Sequence, residues 1–310
     1  MARSKDKSGA PTDWSRVSTA ISTILTAILV LGLVAGLTAG LGPLEARAAS
    51  VLGVRGPTVT IAWPTYEAKD GTKVSWLGDS FQEQILDRAQ TAFDPAAAST
   101  EVFKRDALVA VGESLRTCGW FEGTPLVTRR EGGEIHVEGT WRIPAAVVRE
   151  GNADRLISRN AMPMPVEYPA AELGKTRGQT VILGVSAPAP LDGSGLPDFT
   201  APWPGEDLRA GLELLDLLSR QAWREQIVAI DVTGFNETKQ LSLVTRRHGR
   251  VDWGGRPSAP RLGEISTAAK IAHLDQFNRE CGSIDAKRDR VEIWGVQPLE
   301  INVSASGSKP

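Results

Sequence analysis

Histidine and cysteine are scarce here: three histidines and two cysteines among 310 residues. Cys118 and Cys281 lie far apart and neither belongs to a CxxC pair, which excludes zinc ribbons and thioredoxin-like redox sites. A single long-range disulfide outside the cytoplasm and two structural thiols both remain open. There is no HExxH, no H-x-E with a distant CxxC, no GxSxG and no GxxxxGK[ST], so the common signatures for metal-assisted, serine-dependent and phosphate-loop chemistry are missing. Gly193-Ser194-Gly195 follows a proline-rich stretch rather than a strand, so it reads as a loop and not a phosphate cradle. An excess of one charge is also missing. The net charge of -2 and pI near 6.0 argue against general nucleic-acid binding, which usually needs a strongly basic domain.

Hydrophobic residues are plentiful, at 41%, so the chain can bury a sizeable core in roughly two domains. One uncharged run dominates the N-terminus, from Val17 to Leu44. Its core, Ala20 to Leu41, would span about 33 Å as a helix, against a hydrocarbon thickness of roughly 30 Å. Arg3, Lys5, Lys7 and Arg16 precede it and place that end in the cytoplasm, with Trp14 suited to the membrane interface. Residues 1–16 read as a basic cytoplasmic tail, 17–42 as a single transmembrane helix and 43–55 as a small-residue linker. Ala46-Arg47-Ala48 has the form of a signal-peptide cleavage site. The apolar run is longer than the usual h-region of about 7–15 residues, which favours an uncleaved anchor. In either case the bulk of the chain is exported.

Beyond the linker, Val59, Ile61 and Trp63 alternate with Thr58, Thr60 and Ala62, as in a strand. A helix follows over "DSFQEQILDRAQTAFD". Asp79 or Ser80 would cap it, Glu83 stands at capping-box spacing from Ser80, and Phe81, Ile85, Ala89 and Phe93 make its stripe. Pro95 stops it. Ala107, Leu108, Val111 and Leu115 line a second helix that stops near Gly119. Two strands come next, "TPLVTRR" and "EIHVEGTWRIPAAVVRE", around a Gly132-Gly133 turn. After a connection rich in proline and glycine, Leu208, Leu212, Leu215, Leu218 and Ala222 form the apolar face of another helix. Strands "QIVAIDVTG", "KQLSLVTRR" and "RVDWGG", a helix "EISTAAKIAHLDQF" and a strand within "IDAKRDRVEIWGV" complete the set.

The run "GWFEGTPLVTRREGGEIHVEGTWRIPAAVVREGNADRLISRNAMPMP", with Arg142-Ile143-Pro144-Ala145-Ala146 inside it, resembles the end of a POTRA domain of the bacterial cell-division family FtsQ/DivIB. Ser158-Arg159-Asn160-Ala161 departs from that family's usual Asp-x-x-Gly turn. Leu241, Leu243, Gly249, Val251, Gly254, Lys270 and the strand around Val291–Trp294 are similar to the family's β domain. With the N-terminal anchor the resemblance covers nearly the whole chain. It implies an α+β fold: a POTRA-like β-α-α-β-β domain over 56–160, a mixed β domain with two helices over 161–301, and a C-terminal tail at 302–310. It also implies a non-enzymatic division scaffold in the cytoplasmic membrane, with its C-terminal domains outside and concentrated at the division site. Its partners would be FtsB- and FtsL-like single-pass proteins, with no cofactor, nucleic acid or small-molecule substrate. The partner-binding residues carried over are Arg290, Val291, Glu292, Ile293 and Trp294. An exported binding or envelope-assembly factor outside division, or an exported hydrolase, is the alternative.

The hydrolase has few candidate residues. His136 lies at an outward strand position and reads as solvated, and His273 as a helix-face residue near Lys270 and Asp275. Glu213 and Asp216 share a helix side and read as a wet face. "LVTRRHGRVDWGG" concentrates Arg246, Arg247, His248, Arg250 and Asp252. Its flanking alternation makes it a hairpin whose tip is His248-Gly249, with glycine supplying the positive φ. Whether that basic tip meets a partner or an anionic lipid stays open.

Overall fold

The computed structural model describes residues 58–301 apart from 69, 94–104, 131–133, 174, 176 and 177. The expected transmembrane helix over 17–42, its flanks, the 302–310 tail and the Gly132-Gly133 turn lie outside the described residues. Among the described residues no helix is long and apolar enough to cross a membrane.

The fold is mixed α+β. Strands β1 (Val59–Ile61), β2 (Thr65–Glu67) and β3 (Lys73–Ser75) lead into helices α1 (Asp79–Ala92) and α2 (Arg105–Arg116), then β4 (Leu126–Arg129) and β5 (Ile135–Glu138). β5 is the middle of a three-stranded sheet, parallel to β1 and antiparallel to β4, while β2 and β3 form a separate hairpin. The stripe of α1 faces the core, with Ile85, Ala89 and Phe93 buried. Its cap is not the expected one. Leu77 is buried, so the chain turns into the helix at Gly78, and neither Asp79 nor Ser80 is placed to cap. Asp79 instead sits in the first turn, where a carboxylate complements the helix dipole. Val111 and Leu115 are fully buried on α2, and Gly119 just beyond it takes φ 83.

The remaining elements are β6 (Pro144–Glu150), β7 (Ala153–Ser158), β8 (Pro163–Pro169), β9 (Val181–Leu183), α3 (Glu206–Leu218), β10 (Ile227–Asp231), α4 (Phe235–Thr238), β11 (Leu241–Thr245), β12 (Arg250–Gly254), α5 (Thr267–Cys281), β13 (Arg290–Glu292) and β14 (Leu299–Ile301). Their strands build one nine-stranded sheet in the order β14-β13-β12-β11-β10-β9-β6-β7-β8. The run from Ile135 to Glu150 is therefore two strands in two sheets. A side chain at Gly139 would strike Phe121 at 2.8 Å and Pro125 at 2.9 Å, and there the chain leaves the small sheet. The change of sheet thus comes near 139–143, ahead of the boundary at 160 expected from sequence.

The large sheet has a core on each face. On β6, Ala146 and Val148 belong to one core and Val147 to the other. Ile157, Ile182 and Ile230 continue the first, while Leu156, Val181 and Ala229 continue the second, as period-two alternation requires. The first core packs α3 and α5 through Leu208, Leu214, Leu218, Leu274 and Phe277; the second takes in Ile85, Leu115 and Ile135 of the small α/β layer. α3 ends at Leu218, so Ala222, expected on its apolar face, is exposed. α5 is capped by Ser266, which accepts from Ala269 N–H, and ends at Gly282 with φ 71.

Candidate partner-binding surface

The basic hairpin is present, but its strain falls on a different residue from the one expected. β11 and β12 pair antiparallel, and His248 takes the positive φ, at 67. Gly249 is required for closeness instead. A Cβ there would meet Asp285 Oδ2 at 2.5 Å and Arg288 O at 2.8 Å. Asp285 is fully buried and accepts from Thr245 Oγ1 at 2.6 Å and Ser283 Oγ at 2.6 Å, so it ties the hairpin end to the segment after α5.

The arginines of this hairpin have different roles. Arg250 reaches Asp231 at 2.7 Å and Asp252 at 3.1 Å, and Arg290 meets Asp252 from the next strand at 2.5 Å. Ser242 Oγ also donates to Asp252, at 2.8 Å. Burial alone would raise the Asp231 carboxyl, but the Thr233 donors and Arg250 outweigh it and hold it low. Arg246 and Arg247 are exposed and take no part in this network.

The five residues expected to bind a partner divide by burial. Val291 and Ile293 are completely buried, while Arg290, Glu292 and Trp294 are half-buried. β13 is parallel to β12 on one side and antiparallel to β14 on the other, so both of its edges are occupied. An added strand therefore cannot pair with 290–292. Among the described residues the open edge at this end of the sheet belongs to β14, which lies outside the residues that the resemblance implies. Apolar side chains lie open on this segment: Leu299 is 56% exposed and Val296 82%. The only hint in the sequence is the brief alternation of Leu299 and Ile301, too short to separate from loop.

A buried polar cluster supports this corner. Glu264 accepts from Gly255 N–H at 2.9 Å, from Lys270 at 2.7 Å and from Arg261. Arg261 lies over the Trp294 ring at 5.4 Å, and Ile265 N–H donates to Trp294 O at 3.0 Å. Burial would raise the Glu264 carboxyl, but its three donors hold it low; burial pulls the Lys270 ammonium down, and its bond to Glu264 offsets only part of that. Three donors converge on the Glu264 carboxylate, while the Lys270 ammonium faces one carboxylate.

The remaining candidates stay apart. His136 is not a solvated side chain: Thr60 Oγ1 lies 3.1 Å from its Nδ1 and Glu138 Oε1 2.9 Å from its Nε2. His273 is half-buried on α5. Glu213 is held by Arg256 and Ser258 N–H and does not share a wet face with Asp216. Cys118 and Cys281 are both free thiols. Asp192 accepts from Ser194 and Leu196 N–H, which makes the Gly193–Gly195 stretch a closed turn. Among the described residues no group of three or more His, Cys, Asp or Glu side chains could hold a metal ion. No family model and no curated protein matches the chain.

Proposed function

We propose that this chain is a membrane-tethered, non-catalytic scaffold of the FtsQ/DivIB kind, which gathers cell-division proteins through exported α/β layers. Residues 17–42 anchor it, a POTRA-like layer follows, and the nine-stranded sheet is its β domain. The observation that carries this reading is the β14 edge. Among the described residues its backbone is paired only with β13, and the exposed Leu299 within it and Val296 just before it are apolar. An incoming strand from an FtsB-like protein, itself paired with an FtsL-like protein, would satisfy that backbone, and side chains on alternate positions would set specificity. Arg290 and Trp294 flank the contact, and Val291 and Ile293 hold β13 in the core beneath it. The opposite edge, β8, carries Pro163, Pro165 and Pro169, which lack the N–H that strand addition needs.

Co-purification with co-expressed FtsB- and FtsL-like proteins tests the contact. Leu299→Pro and Trp294→Ala should each release the partners while the far-ultraviolet circular dichroism stays unchanged. Retained binding in both variants would refute this edge as the contact. A fluorescent fusion of the full chain should gather at mid-cell. Uniform envelope distribution would instead favour a tethered binding protein outside division.

A further inference from the structure

A cleft of about 350 Å³ opens on the α3 side of the large sheet, away from β14. Its floor is aliphatic, from Ala145 on β6, Leu212 and Leu215 on α3, and Val228 on β10. Three exposed arginines from separate parts of the chain stand at its rim: Arg159 between β7 and β8, Arg224 before β10, and Arg246 at the end of β11. Arg246 belongs to the basic hairpin whose role the β14 reading leaves unexplained.

We infer that this cleft binds an acidic peptide segment carrying an aliphatic side chain next to a carboxylate. The charges of the rim support this occupant. Its two carboxylates are already shared: Asp216 lies 3.5 Å from Arg159 and 3.9 Å from Arg220, and Glu225 lies 3.4 Å from Arg224. Arg246 has no carboxylate of its own among the described residues. All these pairs are exposed and loose, so an incoming carboxylate can displace them at little cost. Guanidinium groups suit this task because their planar donors take a carboxylate in bidentate fashion. The aliphatic floor takes the neighbouring apolar side chain, and its volume falls within the range of specific ligand sites. The C-terminus of α3 also borders the cleft, at Leu218 and Ser219. Its carbonyls carry partial negative charge, so attraction rests on the arginines alone and salt should weaken it. A flat anionic bilayer fits less well, because it would press charge against Asp216 and Glu225 as well as the arginines.

A random-peptide phage library panned against the full chain tests this. Enriched sequences should place Asp or Glu beside Leu, Ile or Val. Fluorescence anisotropy with a synthetic peptide of the enriched sequence should then give saturable binding. The triple variant Arg159→Glu, Arg224→Glu, Arg246→Glu should weaken it more than about tenfold. Amidating the peptide's carboxylates, or replacing its aliphatic residue with serine, should weaken it comparably. All three arginines are exposed, so the variant keeps its fold, and its binding to FtsB- and FtsL-like proteins should be unchanged. That second readout separates failure of the cleft from failure of the β14 reading. No acidic enrichment, or affinity unchanged in the triple variant, overturns the inference. So does binding to phosphatidylglycerol vesicles with no peptide binding, or self-association that the triple variant abolishes.

Discussion

Asp252 holds the last strands together. It is completely buried and accepts from Ser242, Arg250 and Arg290, which come from β11, β12 and β13. Removing it takes away the one buried carboxylate that Arg250 and Arg290 share, leaving Arg250 with Asp231 and Arg290 with Glu292. Asp252→Ala should cost about 1–3 kcal/mol through the lost hydrogen bonds, read from the urea midpoint. Glu264, Asp231 and Glu213 are all held below the usual carboxylate range. A carboxylate whose folded value is depressed stabilises above its unfolded value and loses that contribution as pH falls through the folded one. The acid limb of a melting-temperature profile should therefore fall below about pH 4, and Glu264→Gln should flatten it. Cys118 behaves in the opposite way. Burial raises its thiol despite Arg88 and Arg142 nearby, so its contribution is present below the ordinary thiol value and is lost as pH rises beyond it. A thiol reagent on the native protein should modify half-buried Cys281 well before buried Cys118.

At the scale of elements, periodicity was readable wherever one face met one core. The α1 stripe at Ile85, Ala89 and Phe93 and the β11 alternation at Leu241 and Leu243 both point inward as expected. Where tertiary contacts decide, the sequence is silent. β8 carries three prolines, and an edge strand tolerates them because one of its sides needs no donors. Ala222 continues the spacing of α3, but the helix ends before it. The hairpin tip carries the two adjacent residues His248 and Gly249, and spacing alone does not reveal which one is strained. Asp285, 36 positions beyond Gly249, supplies that answer. Gly249→Ala should therefore destabilise by about 1–3 kcal/mol through overpacking, although its φ is ordinary. Differential scanning calorimetry would measure it. The partner surface was legible only as far as β13, because three-residue β14 is too short for alternation to mark it.

The whole molecule departs most from an arrangement of two separate domains. The nine-stranded sheet supplies one wall of both cores, through Val147, Leu156 and Val181 on one face and Val148, Ile157 and Ile182 on the other. Arg142 closes the joint between the sheets. It is buried and donates to Gly119 O at 3.3 Å and Pro163 O at 3.1 Å, and its own N–H donates to Trp120 O. Urea unfolding should accordingly be one transition, with tryptophan fluorescence and circular dichroism superimposed. Two resolved transitions would contradict a shared wall. That wall also fixes the distance from β1 to β14, because no linker intervenes in the path of paired strands and packed faces. Fluorophores placed at Thr60 and Leu299 should report one narrow distance distribution, and whatever pairs with β14 would be held at that separation from β1.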